Sequence, residues 1–415
     1  MVLLYNFGIR FLSSAYWLAS WFNPKAKAFR EGRIRQSDKL KQTFPSNSQD
    51  KWVWFHCASL GEFEQGRPVM EALKVWNPSL KILLTFFSPS GYEVRKNYAT
   101  ADAVFYLPWD TKKNARWFAE NVKPSLVVFV KYEFWYHYSE QLNKKNIPLI
   151  SIASIFRQDQ SFFQSYGSFF RKMLGYFNHF FVQNEESVTL LKSIGIQSVT
   201  LGGDTRFDRV HQIIQQSEEI AIAKQFKDGQ KLMVIGSAWP DDMDVLYPFI
   251  NENKDRLKFI IAPHEISEEF LSTIEKSIDG KTVRFSKAGN ASLPEVSVLI
   301  IDNIGMLSRL YNYGEFAYVG GAFGEGLHNI LEAACYGIPV FFGNKKYQKY
   351  QEAVDLVFRG GAFEVGDFTQ LKSKYEMMIS HPETFLLACE VTRQYVLENL
   401  GATSRIVNYS KKYLS

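Results

Sequence analysis

Tyr313-Gly-Glu-Phe-Ala-Tyr-Val-Gly-Gly321, continuing as Ala-Phe-Gly-Glu-Gly-Leu-His328-Asn329-Ile-Leu-Glu332 and then Ala-Ala-Cys-Tyr-Gly-Ile-Pro-Val-Phe-Phe-Gly343, carries the clearest structural pattern in the chain. Phe316 to Val319 is short, aromatic and β-branched, and suits a buried strand. Gly320 and Gly321 end it, and Gly324 and Gly326 leave the next loop permissive. Leu327 to Tyr336 has helical spacing, with Leu327, Ile330, Leu331 and Ala334 on the apolar side. Gly337 marks a stop, and Ile338 to Phe342 reads as the next strand. The unit is β-loop-α-β, with glycines leading into its helix.

Such a lead-in leaves the first backbone N–H groups of a helix unpaired at the positive end of its dipole, where a phosphate binds well. Asn329 and Glu332 lie three apart, on one helical face near that end. A carboxylate there can accept hydrogen bonds from a ribose diol while the amides hold the phosphate. Equally, Glu332 can simply complement the dipole while the glycines shape a turn. The stretch lacks G-x-G-x-x-G, and the chain has no G-x-x-x-x-G-K-[ST], so neither a dinucleotide fingerprint nor a P-loop is indicated.

Outward from this unit the same plan repeats. Strands are expected at Trp52 to His56, Ile82 to Phe87, Val104 to Leu107, Leu126 to Val130, Pro148 to Ala153, Phe180 to Val182 and Val199 to Gly202. A second set follows at Lys231 to Gly236, Lys258 to Ala262, Thr282 to Phe285, Val298 to Ile301 and Phe363 to Val365. Helical segments separate them, among them Glu64 to Trp76, Asp242 to Asn253 and Ser267 to Ile278. Continuous apolar strands alternating with helices imply parallel sheets covered on both faces, hence an α/β chain of two doubly wound domains facing across a cleft. The expected divisions are a hydrophobic anchor at 1–24, an N-terminal domain at 25–210, a C-terminal domain at 211–390, and a helix at 391–415 crossing back to the first domain. A polar linker is expected at Pro45 to Lys51.

The length of 415 residues suits two domains, and 46% apolar with 22% charged residues is an ordinary globular balance. The net charge of +5 is mild, and much of it is local, in Lys25, Lys27, Arg30, Arg33, Arg35, Lys39 and Lys41. Cys57, Cys335 and Cys389 are far apart and odd in number, which points to neither a disulfide framework nor a zinc cluster, and fits a reducing compartment. The histidines show no metal-ligand spacing. Met1 to Phe22 is rich in Leu, Phe, Trp and Tyr with one charge, Arg10. Asn6, Ser13, Ser14 and Ser20 make it a poor membrane span, and it lacks the basic start of a signal peptide. Aromatics followed by a basic run read as an anchor lying on an anionic membrane surface; the alternative is a core helix with a solvated basic end. Because the basic residues cluster beside this segment and not over a folded face, no nucleic-acid partner is expected.

Chemistry can sit at several strand ends. Glu62, in His56-Cys57-Ala58-Ser59-Leu60-Gly61-Glu62, lies at a strand-to-helix turn, where a carboxylate can act as general base toward a hydroxyl. Ser59-x-x-Glu62 is also a capping box, in which the glutamate only closes its own helix. Lys131, in Lys131-Tyr-Glu133-Phe-Trp135, follows another strand. Arg206 closes the first domain, where it can reach a phosphate or form a salt bridge. Asp242-Met-Asp244 resembles a D-x-D metal pair, but its place after Pro240 fits plain helix N-terminal acids better.

At this point the loop Ala58-Ser-Leu-Gly-Glu62-Phe63, the run Asp302-Asn-Ile304-Gly305-Met306-Leu-Ser-Arg-Leu-Tyr311 and the block Val319-Gly-Gly321…Gly326-Leu-His328-Asn329-Ile330-Leu331-Glu332…Gly337-Ile-Pro-Val340 resemble the 3-deoxy-D-manno-octulosonic acid (Kdo) transferases of lipopolysaccharide assembly. The resemblance covers nearly the whole chain. It implies a GT-B fold and transfer of Kdo from CMP-Kdo to a lipid A precursor (lipid IVA), with inversion and without a metal or other cofactor. It also implies a place at the cytoplasmic face of the inner membrane of a Gram-negative cell. The family's proton acceptor falls on Glu62. Its CMP contacts fall on Pro263 and His264, on Ile304, Gly305 and Met306, and on Asn329, Ile330, Leu331 and Glu332.

Three positions depart from the family. Lys131 stands where Glu is usual, Arg206 where Lys is usual, and His264 where Arg commonly follows Ala-Pro. Lys131 and Arg206 are therefore assigned to departing CMP or to a lipid phosphate. Two rivals stay open: another GT-B nucleotide-sugar transferase or epimerase, and a non-catalytic lipid-binding protein at the membrane surface. Oligomeric state and the number of Kdo units transferred are not legible.

Overall fold

The computed structural model describes residues 1–44, 50–215, 218–290 and 292–415. The expected linker falls, over 45–49, outside the described residues. The chain forms two compact units, one of residues 1–208 with 400–415 and one of residues 209–399.

In the first unit β1 (Trp52–Cys57), β2 (Lys81–Phe86), β3 (Ala103–Tyr106), β4 (Leu126–Val130), β5 (Leu149–Ser154), β6 (His179–Val182) and β7 (Val199–Leu201) form one parallel sheet in the order β3-β2-β1-β4-β5-β6-β7. Every residue of β1 and β4 is buried. Alternate side chains feed opposite faces: Trp54 and Phe129 enter one apolar cluster, Val53, Phe55 and Val128 the other. This is why these strands read as unbroken apolar runs.

The helix Ala402–Leu414 packs on α3 (Leu60–Trp76) and adds Ile406, Val407 and Leu414 to the second cluster. The Asp208 carboxylate anchors its start, accepting from the Gly401 and Thr403 amides at 2.6 Å each. The helix begins at Ala402, later than the expected 391, because Gly401 takes a left-handed φ of 98° and ends the preceding run.

The N-terminal segment folds as α1 (Val2–Ala19) and α2 (Pro24–Thr43). Asn23 caps α2 through the Lys25 and Ala26 amides, and Pro24 suits its first position. One side of α1 is docked. Tyr5 donates to Asp110 at 2.5 Å, Asn6 accepts from His137 Nε2 at 2.6 Å, and Tyr16 stacks on Phe29 at 4.2 Å. Burial raises the Asp110 carboxyl to about 6, against the hydrogen bonds from Tyr5 and the His137 and Tyr138 amides. The other side of α1 leaves Leu3, Phe7, Phe11 and Leu18 exposed. Among the described residues no helix is long and apolar enough to cross a membrane. Arg33 of α2 is clamped onto the sheet, donating to the carbonyls of Phe87 (2.7 Å), Leu107 (3.0 Å) and Phe29 (3.2 Å), with its guanidinium 3.6 Å above the Phe29 ring.

In the second unit β8 (Leu232–Ala238), β9 (Lys258–Pro263), β10 (Thr282–Arg284), β11 (Val298–Ile300), β12 (Phe316–Val319), β13 (Val340–Gly343) and β14 (Ala362–Val365) form a second parallel sheet, in the order β10-β11-β9-β8-β12-β13-β14. The expected helix over Leu327–Tyr336 is a correction: only Leu331–Ala334 is α-helical. The preceding loop folds back on β12, with the Gly326 amide donating to Gly321 O at 2.8 Å and the His328 amide to Gly320 O at 3.2 Å. Residues held in that return cannot also continue a helix.

Tyr5→Phe removes one donor from the buried Asp110. We expect a loss of about 1.5–3 kcal/mol, the range for hydrogen bonds to charged groups, measured by urea denaturation, together with faster proteolysis within α1. An unchanged midpoint and cleavage rate would show that other contacts hold the helix.

Candidate active site

A doubly wound sheet opens a crevice where its strand order reverses, outside the carboxyl ends of the two strands on either side. In the first unit that point lies between β1 and β4, and the segments leaving these strands carry Glu62 and Lys131. The two meet there, Lys131 Nζ lying 4.0 Å from Glu62 Oε1, with both side chains partly exposed.

Helix α3 begins at Leu60, four residues before the expected Glu64, because Ser59 caps it. Glu62 therefore lies in the first turn. Its Oε2 accepts from the Ser59 amide (3.0 Å) and hydroxyl (2.5 Å). The capping box and the crevice position thus coexist in one side chain: one oxygen fixes the carboxylate to its helix, the other faces Lys131. Lys131 takes a left-handed φ of 63°, with its amide donating to Ile152 O and its carbonyl accepting from Ser154 Oγ. A non-glycine residue there costs about 1–2 kcal/mol, held in place by the flanking strands.

Arg206 donates to Asp204 Oδ2 from Nε at 2.8 Å and brings Nη2 to the same oxygen at 2.7 Å, a charge-assisted contact. Asp204 is buried and also accepts from the Arg206 amide and from Gln65 Nε2. Burial pushes the Asp204 carboxyl up, but Arg206, its amide and the charge of Lys131 together hold it below the usual range. Asp204 escaped the sequence reading; a single acid beside an arginine carries no pattern. The same holds for Glu133, which accepts from His56 Nε2 at 2.8 Å and Trp135 Nε1 at 2.7 Å, while His56 Nδ1 meets Thr85 on the neighbouring strand.

In the second unit the order reverses between β8 and β12. Trp239 follows β8, His264 follows β9 and His328 follows β12. Their rings form a stack: His264 lies 4.4 Å from Trp239 and 4.4 Å from His328, and Trp239 Nε1 donates to His328 Nε2 at 3.0 Å. Burial, with the charge of His264 beside it, lowers the His328 pKa to about 4. His328 is thus neutral near pH 7, as its acceptor role toward Trp239 requires. The wall behind this stack is Asp242, fully buried, which accepts from the amides of Trp239 (3.0 Å) and Gly321 (2.8 Å) and from the Tyr318 hydroxyl (3.0 Å). Asp242 is spent on structure and not on a D-x-D metal pair. Gly321 has a φ of 95°, and a Cβ there would meet Gly326 O at 2.4 Å.

Pro263 ends β9 and is buried, and His264 beyond it is exposed. Asn329 donates to Glu332 Oε1 at 3.2 Å and accepts from the Leu331 amide, so it orients the carboxylate and turns the chain into the short helix. Ile330 and Leu331 are buried beneath them. A four-residue helix offers little dipole, so the phosphate site expected at a helix start over Leu327–Tyr336 loses that footing. Ile304 is almost fully exposed, Gly305 turns the chain with a φ of 97°, and Met306 starts the next helical turn. The structure therefore gathers His264 and the loop after β12 at one switch point, and places Ile304–Met306 beyond β11 on the same edge of the sheet.

Residues 31–209 match the family model described as 3-deoxy-D-manno-octulosonic-acid transferase (Kdo transferase). The chain is 29% identical over 354 residues to the 3-deoxy-D-manno-octulosonic acid transferase of Aquifex aeolicus, covering 83% of this chain and 92% of that one. It is 25% identical over 335 residues to the enzyme of the same name from Rickettsia felis, covering 79% and 71%. Among solved structures, UDP-GlcNAc 2-epimerase from Neisseria meningitidis bound to UDP-GlcNAc aligns with a TM-score of 0.62 at 16% identity, over 87% of this chain and 100% of that one. At that identity the likeness concerns the fold, which is GT-B.

An unfolded histidine takes up its proton near 6.5 and the folded His328 only near 4. Between these values the unfolded chain binds more protons, so stability falls as pH drops through that window. We expect a loss on the order of 1–2 kcal/mol by pH 4, allowing for solvent screening, seen as a falling urea midpoint. His328→Gln, which keeps an acceptor for Trp239, should flatten this limb; an unchanged slope in the variant would assign the acid sensitivity elsewhere.

Proposed function

We propose that the chain is a glycosyltransferase, as its likeness to the Kdo transferases supports, and that it moves Kdo from CMP-Kdo to a lipid A precursor (lipid IVA) at an anionic membrane surface. The observation that carries the chemistry is the Glu62 carboxylate at the β1/β4 switch point, one oxygen tied to Ser59 and the other beside Lys131. In this reading the acceptor hydroxyl gives its proton to Glu62 as its oxygen bonds to the anomeric carbon of Kdo. The bond from that carbon to the CMP phosphate breaks in the same step, so the configuration inverts. The tie to Ser59 holds the carboxylate at one angle, which favours a single attack geometry.

The second unit holds the donor. Glu332, oriented by Asn329, accepts from the ribose hydroxyls. His264, Pro263 and the turn Ile304–Met306 border the cytidine, and Ile330 and Leu331 support it from below. Lys131, and Arg206 held by Asp204, supply positive charge for departing CMP or for a lipid phosphate. No metal takes part in this scheme. The exposed apolar side of α1 and the basic α2 lie on the membrane, near the acceptor.

Glu62→Gln retains a side chain able to close the capping box but cannot take a proton. It should lower kcat by about 10²–10⁴-fold, the usual worth of a positioned base, with the KM for CMP-Kdo little changed. Turnover near wild type would remove Glu62 from the chemistry. Lys131→Ala and Arg206→Ala should each slow transfer, and near-normal rates would remove the assigned charge role. Turnover in excess EDTA should equal that in buffer; a loss restored by added Mg²⁺ would contradict the metal-free scheme.

A further inference from the structure

The first unit holds a large pocket away from Glu62, of about 1040 Å³, bounded by α1, α2 and the helix Lys112–Asn121. That volume matches the upper end of ligand sites, about 300–1,000 Å³. Its walls are apolar and aromatic, formed by Tyr16, Ile34, Leu40, Trp109 and Trp117. Its mouth is basic, and two features of that mouth point to an anion.

Lys112 and Lys113 occupy the first turn of their helix, which contains no acid. Cations at the positive end of a helix dipole are placed against the local field. Among the described residues no carboxylate lies within ion-pair distance of either one. A negatively charged group at the mouth would satisfy both lysines and the dipole together. The pocket is also continuous with the outer side of α1: Trp17 lines it and is itself nearly half exposed, on the helix that shows Leu3, Phe7, Phe11 and Leu18 to solvent. An apolar cavity joined to an apolar surface and rimmed by unpaired lysines suits a chain with a charged head.

We infer that this pocket takes an acyl chain of the phosphorylated glycolipid acceptor, with a phosphate at Lys112 and Lys113. The inference rests on the acceptor class proposed above. It places acceptor selection in a site separate from the reacting carboxylate, and makes chain length a property read by α1, α2 and the helix Lys112–Asn121.

The first arm needs no catalysis. Dodecyl phosphate binding is measured by titration calorimetry on the wild-type protein, on Ile34→Glu, and on the double variant Lys112→Glu/Lys113→Glu. Ile34 is largely exposed, so a charge there spares the core. Each variant should weaken binding at least tenfold, and inorganic phosphate alone should not compete. Equal affinity in all three proteins, or full competition by inorganic phosphate, would overturn the pocket. The second arm measures transfer. Both variants should raise the KM for the acylated acceptor at least tenfold and leave saturated kcat and the donor KM unchanged, with no difference on a deacylated acceptor. Unchanged KM values on the acylated acceptor would also overturn the inference. If the wild-type protein transfers nothing to either acceptor while dodecyl phosphate binding still responds to the variants, the activity assignment fails and the lipid pocket stands.

Discussion

A parallel sheet built by right-handed crossovers must reverse its winding direction once if helices are to cover both of its faces. Each sheet here reverses beside its first strand, between β1 and β4 in one unit and between β8 and β12 in the other. Flanking crossovers then leave toward opposite faces, and the loops at the carboxyl ends part. The groups proposed to bear chemistry are among those the two neighbouring strands deliver into that gap. Glu62 with Lys131, and Trp239 and His264 with His328, are the contacts that span it. Removing the apolar burial of β1 or β8 would dissolve these contacts without altering any of the side chains that make them.

The first site shows how one side chain can serve two demands. A carboxylate at the third position of a helix is stabilised by free amides and by the dipole, and Ser59 adds its hydroxyl. That stabilisation locks the χ angles of Glu62, at the cost of one acceptor oxygen. The second site does the same with a neutral histidine. The Trp239 N–H can donate to His328 only while that ring nitrogen is unprotonated, so burial and the hydrogen bond demand the same charge state. In both places the rigidity of the site is drawn from interactions that a purely structural helix or turn would also use.

That overlap explains what could be read from residues alone. The strands were legible because burial on both faces forces unbroken apolar runs such as Leu126 to Val130. Ser59-x-x-Glu62 was legible as a cap and as a candidate base, and local pattern could not separate the two because the structure closes the cap with the same carboxylate that it sets at the switch point. The helix expected over Leu327–Tyr336 was not legible as a folded-back loop. Its apolar spacing is genuine, since Leu327, Ile330, Leu331 and Ala334 are all buried, but the spacing reports burial and not helicity. What overrides it is the pull of Gly320 and Gly321 carbonyls on the amides of His328 and Gly326; of these four residues Gly321 and Gly326 have positive φ values, which only glycine adopts cheaply. Asp204 and Trp239 went unread for another reason: their roles depend on partners brought by the fold, and no spacing announces them.

Lys131 is where sequence and structure bear most sharply on each other. The resemblance read from the sequence leads to the expectation of a carboxylate at this position, and the chain supplies an ammonium on a left-handed backbone instead. With Glu62, Asp204 and Arg206 it completes a set of two anions and two cations in one crevice. Arg206 is matched by Asp204 at hydrogen-bonding distance, whereas Lys131 and Glu62 stand 4.0 Å apart. A partly exposed pair at that separation contributes little to stability, so the ion pair itself gives no reason to set an ammonium beside Glu62. On the proposed reaction a reason exists. The donor brings a sugar carboxylate and a phosphate to a site whose base is itself anionic, and a cation beside Glu62 offsets that repulsion without occupying the oxygen that must receive the proton.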